Sequence, residues 1–321
     1  MQSFETLAVQ FNNFFSRRHF PLEPATLYEP NEYFLHQGGK RIRPVLCLMG
    51  NEMFDDIKKD AWHVGTSIEL FHNFTLIHDD IMDKAPVRRG KETIHEKFGT
   101  NTAILAGDVM LVSAYEELNK IELTYLRPIL TLFNKTAKEV CEGQQLDMDF
   151  EKMESVSFDA YIKMIALKTS VALAASLQTG AILGGAGKRN QHLLFEFGRK
   201  LGIAFQIQDD YLDAFGDPVK FGKHVGGDIL ANKKTFLLIH TLESATASQK
   251  NELKKLLLSN SDDKIARVQQ LYKDCNADSW ALQLKQQYLE EALSHLEDIA
   301  VLSIRKEPLR ELAHYLIRRE Y

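Results

Sequence analysis

Cysteine is scarce in this chain, and its spacing excludes two common roles. The three cysteines, Cys47, Cys141 and Cys275, are odd in number and far apart in the sequence. They fit neither a disulfide framework nor a metal or redox motif, and a reducing compartment is their simplest setting. The sequence therefore predicts a cytoplasmic protein.

An excess of positive charge and a long uninterrupted apolar run are also lacking. The net charge of −5 and the pI of about 6.1 argue against a nucleic-acid partner. The first twenty residues contain no apolar stretch followed by a cleavage site. The most apolar stretch, residues 171–186, is interrupted by Gln178 and three glycines, which favours a buried core helix. We therefore predict no integral membrane segment.

Proline and strand-like alternation are rare. Several of the eight prolines mark predicted helix breaks, at Pro44, Pro86, Pro128, Pro218 and Pro308. Apolar residues recur at three- and four-residue spacing, which predicts helices over 3–17, 29–38, 44–52, 58–84, 101–120, 126–149, 157–183, 189–215, 233–244, 248–259, 263–275, 277–301 and 307–319. With a 45% hydrophobic composition, the chain is predicted to form a single all-α domain over residues 1–321.

Against this background, one acidic motif occurs twice, as Asp79-Asp80-Ile81-Met82-Asp83 and as Asp209-Asp210-Tyr211-Leu212-Asp213. Residues four apart share a helix face, so the outer aspartates of each copy can share one divalent ion. Mg²⁺ fits because it takes few carboxylates and uses substrate phosphates as further ligands. Solvated acidic faces are the alternative, but each copy follows an apolar stretch, unlike an ordinary exposed face.

Basic residues and glycines accompany these acids. They form the segments Gly38–Pro44 (GGKRIRP) and Arg88–Lys91 (RRGK), and a third group of Lys223, Lys233 and Lys234. The last two groups lie in the predicted loops 84–100 and 216–234, each directly after an acidic motif. Arginine and lysine bind phosphate, and glycine lets backbone N–H groups approach it. A solvated basic patch would explain any one group, but together they indicate a diphosphate held both directly and through metal.

The motifs together resemble those of the trans-isoprenyl diphosphate synthases, the polyprenyl synthetase family. The matching segments are GGKRIRP, DDIMD followed by RRG, GQQLD at 143–147, Lys168-Thr169, and FQIQDDYLD followed by GK and GGDI. They occur in the family's order from position 38 to about 235. The resemblance implies a helical bundle of the isoprenoid synthase type with a central active-site cavity. It also implies a homodimer that condenses isopentenyl diphosphate with dimethylallyl, geranyl or farnesyl diphosphate.

The resemblance further implies a role for each matching residue. Three Mg²⁺ ions, for which Mn²⁺ can substitute, are expected on Asp79, Asp80, Asp83, Asp209, Asp210 and Asp213. The allylic diphosphate is expected on Arg88, Lys168, Lys223 and Lys233. Isopentenyl diphosphate is expected on Gly39, Lys40, Arg43, His72 and Arg89. The allylic cation is expected to face Thr169, Gln206 and the Lys168 carbonyl, with Gln144 and Asp147 supporting the metal side.

Product length is expected to depend on the residues one to two turns before the first acidic motif, Phe71, Phe74 and Thr75. Ordinary core packing is the alternative role for Phe74. In the family that the chain resembles, the fifth position before the motif forms the floor for the growing product, and this position is Phe74. One aromatic residue followed by Thr75 resembles geranylgeranyl diphosphate synthases, and a farnesyl product is the alternative.

Other functions explain less of the sequence. The pairs Glu69-x-x-His72 and Glu92-x-x-His95 match the di-iron bundle signature, but they leave the repeated aspartates unexplained. A terpene cyclase shares the helical fold, but its second metal motif differs from DDYLD. A non-catalytic synthase subunit usually loses one acidic motif, and this chain keeps both. Arg318-Arg319 could close over a diphosphate, although a solvated helix end explains the pair more simply.

Overall fold

The computed structural model describes residues 1–217, 225–259 and 261–318. In chain order the helices are α1 (Phe4–Phe15), α2 (Ala25–Leu35), α3 (Ile42–Glu52), α4 (Lys59–Met82), α5 (Ile94–Phe98), α6 (Thr100–Leu118), α7 (Leu123–Lys152), α8 (Phe158–Ile165), α9 (Val171–Leu183), α10 (Lys188–Phe215), α11 (Gly227–Leu230), α12 (Phe236–Ser244), α13 (Ala247–Leu257), α14 (Lys264–Asp274), α15 (Ala277–Glu297) and α16 (Ser303–Arg318). A π-helical turn, Ala166–Ser170, joins α8 to α9, and β1 (Val87–Arg88) pairs antiparallel with β2 (Lys91–Glu92). The all-α prediction is therefore confirmed.

Two compact units make up the chain. Unit 1 comprises residues 1–133 and 176–191, and unit 2 comprises residues 134–175 and 192–321. The single domain predicted from sequence stays a prediction, as does the central cavity. The most apolar helical stretch, Phe158–Leu183, is long enough to cross a membrane, but 56% of its apolar window is buried in the structure. That burial supports the core helix predicted for this part of the sequence.

In unit 1, α4 packs along α6 and against α3. A glycine allows α4 and α6 to approach closely, because a Cβ atom at Gly107 would lie 2.2 Å from Nε2 of His78. The His78 Nε2 atom lies 3.1 Å from the carbonyl oxygen of Ile104, which makes His78 the donor. This contact fixes α4 one residue before the first acidic motif.

In unit 2, a core of buried apolar side chains surrounds α12, α14 and α15 and extends to α8 and α10. Helix α10 contributes Ile203 and Ile207, which lie within two turns before Asp209, and Ala214, which follows Asp213. Burial of these three side chains orients the helix, so the second acidic motif has a fixed position on its surface.

Three local features differ from the sequence predictions. The predicted loop 84–100 contains the β1–β2 hairpin and α5, and strands of two residues are too short to show alternation. The predicted helix 157–183 is interrupted by the π-helical turn. Pro128 and Pro308 lie inside α7 and α16 instead of at breaks. Each is the sixth residue of its helix, so each removes only one hydrogen bond near the N-terminal end.

Candidate active site

The first acidic motif ends α4. Asp79 and Asp80 lie in the last turn, Asp83 follows as the C-terminal cap, and the Asp83 N–H donates to the Asp79 carbonyl. The predicted spacing of one turn is therefore present. Carboxylates at a helix C-terminus face the negative end of the helix dipole, so they are stable there only with cations nearby.

The hairpin that follows α4 supplies one such cation. Arg89 and Gly90 have φ values of 52° and 75°, the left-handed pair required by a type I′ turn. The turn brings Arg88 back to the helix end, where its Nε donates to Asp80 Oδ1 at 2.7 Å. Its Nη2 lies 3.9 Å from Asp79 Oδ2. Arg88, predicted to bind the allylic diphosphate, thus contacts the acids directly.

Asp80 is the most buried aspartate of this motif, and burial raises the pKa of its carboxyl while Arg88 opposes that rise. Its Oδ2 atom is buried and has no hydrogen-bond partner. A buried carboxylate oxygen without a donor is unstable. A metal ion or a metal-bound water would satisfy it, so the residues at the end of α4 fit a divalent cation.

The glycine-rich segment before α3 holds a second group of cations. Gly38 and Gly39 have φ values of 81° and 150°. The Arg89 Nη1 atom donates to the Gly38 carbonyl, and a Cβ atom on Gly39 would lie 3.3 Å from the Arg89 guanidinium. Glycine at this position leaves room for the arginine. Lys40 is exposed directly beyond it. Gly39, Lys40 and Arg89 therefore lie close together, and their role in binding isopentenyl diphosphate stays a prediction.

Arg43 and His72, which follow this segment on α3 and α4, form a partly buried pair. Arg43 Nη1 lies 3.1 Å from His72 Nε2. Because arginine only donates, His72 Nε2 accepts and its proton is on Nδ1. Burial, and then the positive charges of Arg43 and Arg89, hold the pKa of His72 well below its usual value, so the ring is neutral. Burial lowers the pKa of Arg43 to about 10, which leaves it charged at neutral pH.

The second acidic motif lies near the end of α10 and accepts hydrogen bonds from the segment that follows it in the chain. The Asp228 N–H donates to Asp213 Oδ2 at 2.9 Å, and the Gly226 N–H donates to the Asp213 carbonyl. The Lys233 ammonium lies 3.4 Å from Asp228 Oδ1. Sequence reasoning missed Asp228, although an acid inside a basic loop was a signal that could have identified it.

Both oxygens of Asp210 accept hydrogen bonds from side chains. The Tyr161 hydroxyl donates to Oδ2, and Gln206 Nε2 donates to Oδ1 at 2.8 Å. Burial and then the charge of Asp228 raise the pKa of Asp210 to about 7, against the effect of these two donors. The Gln206 Oε1 atom accepts from Thr169 Oγ1 at 3.2 Å. Tyr161 was not identified from the sequence.

Lys168 and Thr169 lie in the π-helical turn of unit 2. Lys168 Nζ donates to Asp147 Oδ2 at 2.6 Å, and Gln144 lies three residues before Asp147 on α7. Two glycines admit the turn: a Cβ atom at Gly143 would lie 2.3 Å from the Lys168 nitrogen, and one at Gly202 would lie 2.7 Å from Ser170 Cα. Single π turns are frequent at functional sites. This packing explains the glycine of GQQLD.

The predicted chain-length residues belong to an aromatic cluster in unit 1. The Phe74 ring lies 4.9 Å from the His78 ring and 5.8 Å from the Phe71 ring. Phe71 contacts Phe133 of α7, and Phe133 contacts Tyr115 of α6. The last two were missed because they come from helices distant in sequence. The Thr75 hydroxyl instead donates to the His72 carbonyl.

Two predicted groups extend beyond the described residues. Lys223 lies outside them, as does Arg319, while Arg318 is an exposed residue at the end of α16. Among residues 1–217, 225–259 and 261–318, no cluster of three or more histidine, cysteine or acidic side chains is close enough to hold a metal ion by itself. Mg²⁺ needs no such cluster when substrate phosphates complete its coordination.

The whole chain is similar to known proteins. The polyprenyl synthetase family model matches residues 24–275. The chain belongs to the polyprenyl synthetase family. A crystal structure of a geranylgeranyl pyrophosphate synthase shares 41% identity with it, with full coverage of both chains and a TM-score of 0.95. The geranylgeranyl diphosphate synthase of Methanosarcina mazei is 37% identical, and the alignment covers 93% of this chain and 91% of the relative. The short chain isoprenyl diphosphate synthase of Methanothermobacter thermautotrophicus is 35% identical over 94% and 92%.

Membership of the polyprenyl synthetase family confirms the resemblance and the isoprenoid synthase fold predicted from the motifs. It also removes the need for the di-iron alternative. Glu69 Oε1 accepts from Arg41 Nη1 at 2.5 Å and from Asn73 Nδ2 at 3.1 Å, and His72 accepts from Arg43. Glu69 therefore pairs with Arg41 and Asn73, and His72 pairs with Arg43.

Proposed function

We propose that the protein is a trans-prenyltransferase that condenses isopentenyl diphosphate with an allylic diphosphate and releases diphosphate. The observation that carries the proposal is the end of α4, where Arg88 contacts Asp79 and Asp80 and a buried Asp80 oxygen lacks a donor. Such a group of acids and cations suits a metal-bound diphosphate. The twenty-carbon geranylgeranyl diphosphate is the proposed product, which agrees with the names of the relatives, and farnesyl diphosphate is the alternative.

Each group of residues has a proposed part in the reaction. The aspartates of each motif would hold Mg²⁺, three ions in all, which when bound supplies charge neutralisation of the leaving diphosphate. Lys168 and Lys233 lie in salt bridges to Asp147 and Asp228 and would exchange these acids for the allylic diphosphate. Thr169 and Gln206 would face the allylic cation, and the departing diphosphate would take the proton.

The neutral state of His72 fits a role beside isopentenyl diphosphate. The His72 Nε2 atom accepts a hydrogen bond from Arg43 Nη1. This bond fixes the guanidinium, so the other N–H groups of Arg43 are directed away from His72. The Arg43 Nε atom is buried and has no hydrogen-bond partner. We propose that the anionic oxygens of isopentenyl diphosphate bind at Gly39, Lys40, Arg43 and Arg89.

The function is tested by incubating the purified protein with labelled isopentenyl diphosphate and each allylic primer in Mg²⁺ buffer. Chromatography of the dephosphorylated products should show geranylgeraniol. No label in prenyl products with any primer would refute the transferase, and a cyclised hydrocarbon would favour a terpene cyclase. Activity restored only by a second subunit would favour the non-catalytic alternative.

The two diphosphates are expected to depend on different cations. Lys40→Ala should raise the KM for isopentenyl diphosphate about tenfold and leave the KM for the allylic primer within twofold, because each lost charge-assisted hydrogen bond weakens one ligand. Lys233→Ala and Lys223→Ala should have the reverse effect. Steady-state kinetics with each substrate varied in turn measures both constants. Equal changes in both constants for the same variant would contradict the partition.

We also propose a cytoplasmic homodimer. Helix α6 exposes Ile104, Leu105 and Val112 at 42%, 56% and 57% of their surface, and apolar side chains at this spacing suit contact with a second copy. Sedimentation equilibrium should give about twice the 36.7 kDa chain mass. Leu105→Glu should shift the mass towards one chain, whereas Gln283→Glu, at an exposed position of α15, should leave it unchanged. A wild-type monomer at micromolar concentration would contradict the proposal.

A further inference from the structure

Four side chains of unit 2 form a continuous hydrogen-bonded chain. It runs from the Tyr161 hydroxyl on α8 to Asp210 on α10, then to Gln206 one turn earlier on α10, and ends at the Thr169 hydroxyl in the π-helical turn. Tyr161 and Asp210 are buried, whereas Gln206 and Thr169 are partly exposed. The chain therefore connects the core to two side chains that a ligand can reach.

The chemistry of each group gives the chain a direction. A tyrosine hydroxyl and an amide N–H₂ donate to the two oxygens of Asp210, so the carboxylate accepts at both ends. With its Nε2 held on Asp210, Gln206 must turn its Oε1 towards Thr169. A flipped amide would place an oxygen against a carboxylate oxygen, which is repulsive. The Thr169 hydroxyl therefore donates its hydrogen bond to Gln206, and only its lone pairs remain available to a ligand.

Tyr161 is the buried end of this chain, and the orientation depends on it. Its hydroxyl satisfies Asp210 Oδ2, an oxygen that would otherwise lie in the core without a donor. A buried acceptor without a donor is costly, so Asp210 would rotate or draw a different donor if the hydroxyl were lost. Either change releases the Gln206 amide and, with it, the Thr169 hydroxyl.

We propose that Tyr161 is a positioning residue: through Asp210 it holds Gln206 and Thr169 so that oxygen lone pairs face the allylic cation. The role deepens the proposed prenyl transfer and rests on it. Oxygen dipoles fixed before the reaction stabilise a developing cation without reorganisation. Tyr161 itself stays in the core and touches no substrate. The role of Asp210 is then to orient Gln206, with each carboxylate oxygen retaining a second lone pair.

The first test is Tyr161→Phe, which removes one oxygen and preserves the ring volume. We expect kcat to fall about tenfold to a hundredfold, the range for loss of a hydrogen bond to a charged group. The KM for both substrates should stay within twofold, because Tyr161 touches neither of them. Tyr288→Phe is the control, because Tyr288 packs against the same core but is not part of the hydrogen-bonded chain from Tyr161 to Thr169. An unchanged kcat in Tyr161→Phe, or an equal loss in Tyr288→Phe, would overturn the proposal.

The second test is a double-mutant cycle with Gln206→Leu. If Tyr161 acts through Gln206, the double variant should be no slower than Gln206→Leu by more than about twofold, since the chain is already broken. Independent effects would instead multiply. A double variant whose fold-loss equals the product of the two single losses would overturn the relay.

A crystal structure of Tyr161→Phe supplies a readout that does not need activity. We expect the distance from Thr169 Oγ1 to Gln206 Oε1 to exceed 3.5 Å, against 3.2 Å here. An unmoved pair would overturn the proposal even if kcat fell. Failure of the proposed function would appear differently, as an inactive wild-type protein, and the crystallographic comparison would still decide whether Tyr161 positions these side chains.

Discussion

Asp79→Ala and Asp209→Ala are each expected to lower kcat by about a hundredfold to a thousandfold. Each change removes a carboxylate that would hold the Mg²⁺ needed to neutralise charge on the departing diphosphate, and groups of this kind act mainly in the transition state. Steady-state turnover at saturating substrate measures the loss. Chelation of divalent ions should abolish turnover in the wild type, and Mg²⁺ or Mn²⁺ should restore it.

The same variants should remain folded. Asp79 lies at the C-terminal end of α4 beside Asp80 and one turn from Asp83. Removal of a negative charge from a helix C-terminus relieves repulsion, so the melting temperature should stay equal or rise. Asp274→Ala, at the end of α14, is the control, because its carboxylate contacts Gln270 on its own helix. Near-normal turnover in either motif variant would contradict a two-motif mechanism.

The position of the acids could be predicted from the sequence, because it depends on local helix geometry. A spacing of four residues places Asp79 and Asp83 one turn apart in any α-helix, and the structure has that arrangement. The apolar residues before Asp209 likewise predict a buried helix, and Ile203 and Ile207 are in the core. The helical fold could be predicted for the same reason, because the three- and four-residue spacing of apolar residues lies within each helical segment.

Contacts between distant segments could not be predicted in this way. Arg88 was assigned to the substrate, yet its contact with Asp80 depends on a hairpin of two residues per strand. Tyr161 could not be identified from the sequence, because a tyrosine in an apolar helix is usually a core residue. Only the fold brings its hydroxyl to Asp210. The glycine of GQQLD is explained only by the backbone of Lys168 pressed against it.

Phe74→Ala is expected to shift the products beyond twenty carbons. Phe74 lies five residues before Asp79, which is about 7.5 Å along the helix axis at 1.5 Å per residue. This is a suitable depth for a side chain that stops a growing isoprenoid. Truncation removes an aromatic ring and leaves space for further isoprene units. Reversed-phase chromatography of dephosphorylated products measures the distribution, and an unchanged distribution would remove Phe74 as the stop.

The cluster around Phe74 predicts how large the shift can be. Phe71, Phe133 and Tyr115 continue from Phe74 as a series of ring contacts, with centroids 5.8, 5.3 and 5.2 Å apart in turn. If Phe74 is the first barrier, Phe71 and Phe133 remain as the next ones after its truncation. Phe74→Ala should therefore add few units, and Phe74→Ala with Phe133→Ala should add more. Phe133→Ala alone should leave the wild-type product unchanged, because the chain stops before reaching it. A longer product from Phe133→Ala alone would show that the chain already passes Phe74, and would assign the stop to Phe133.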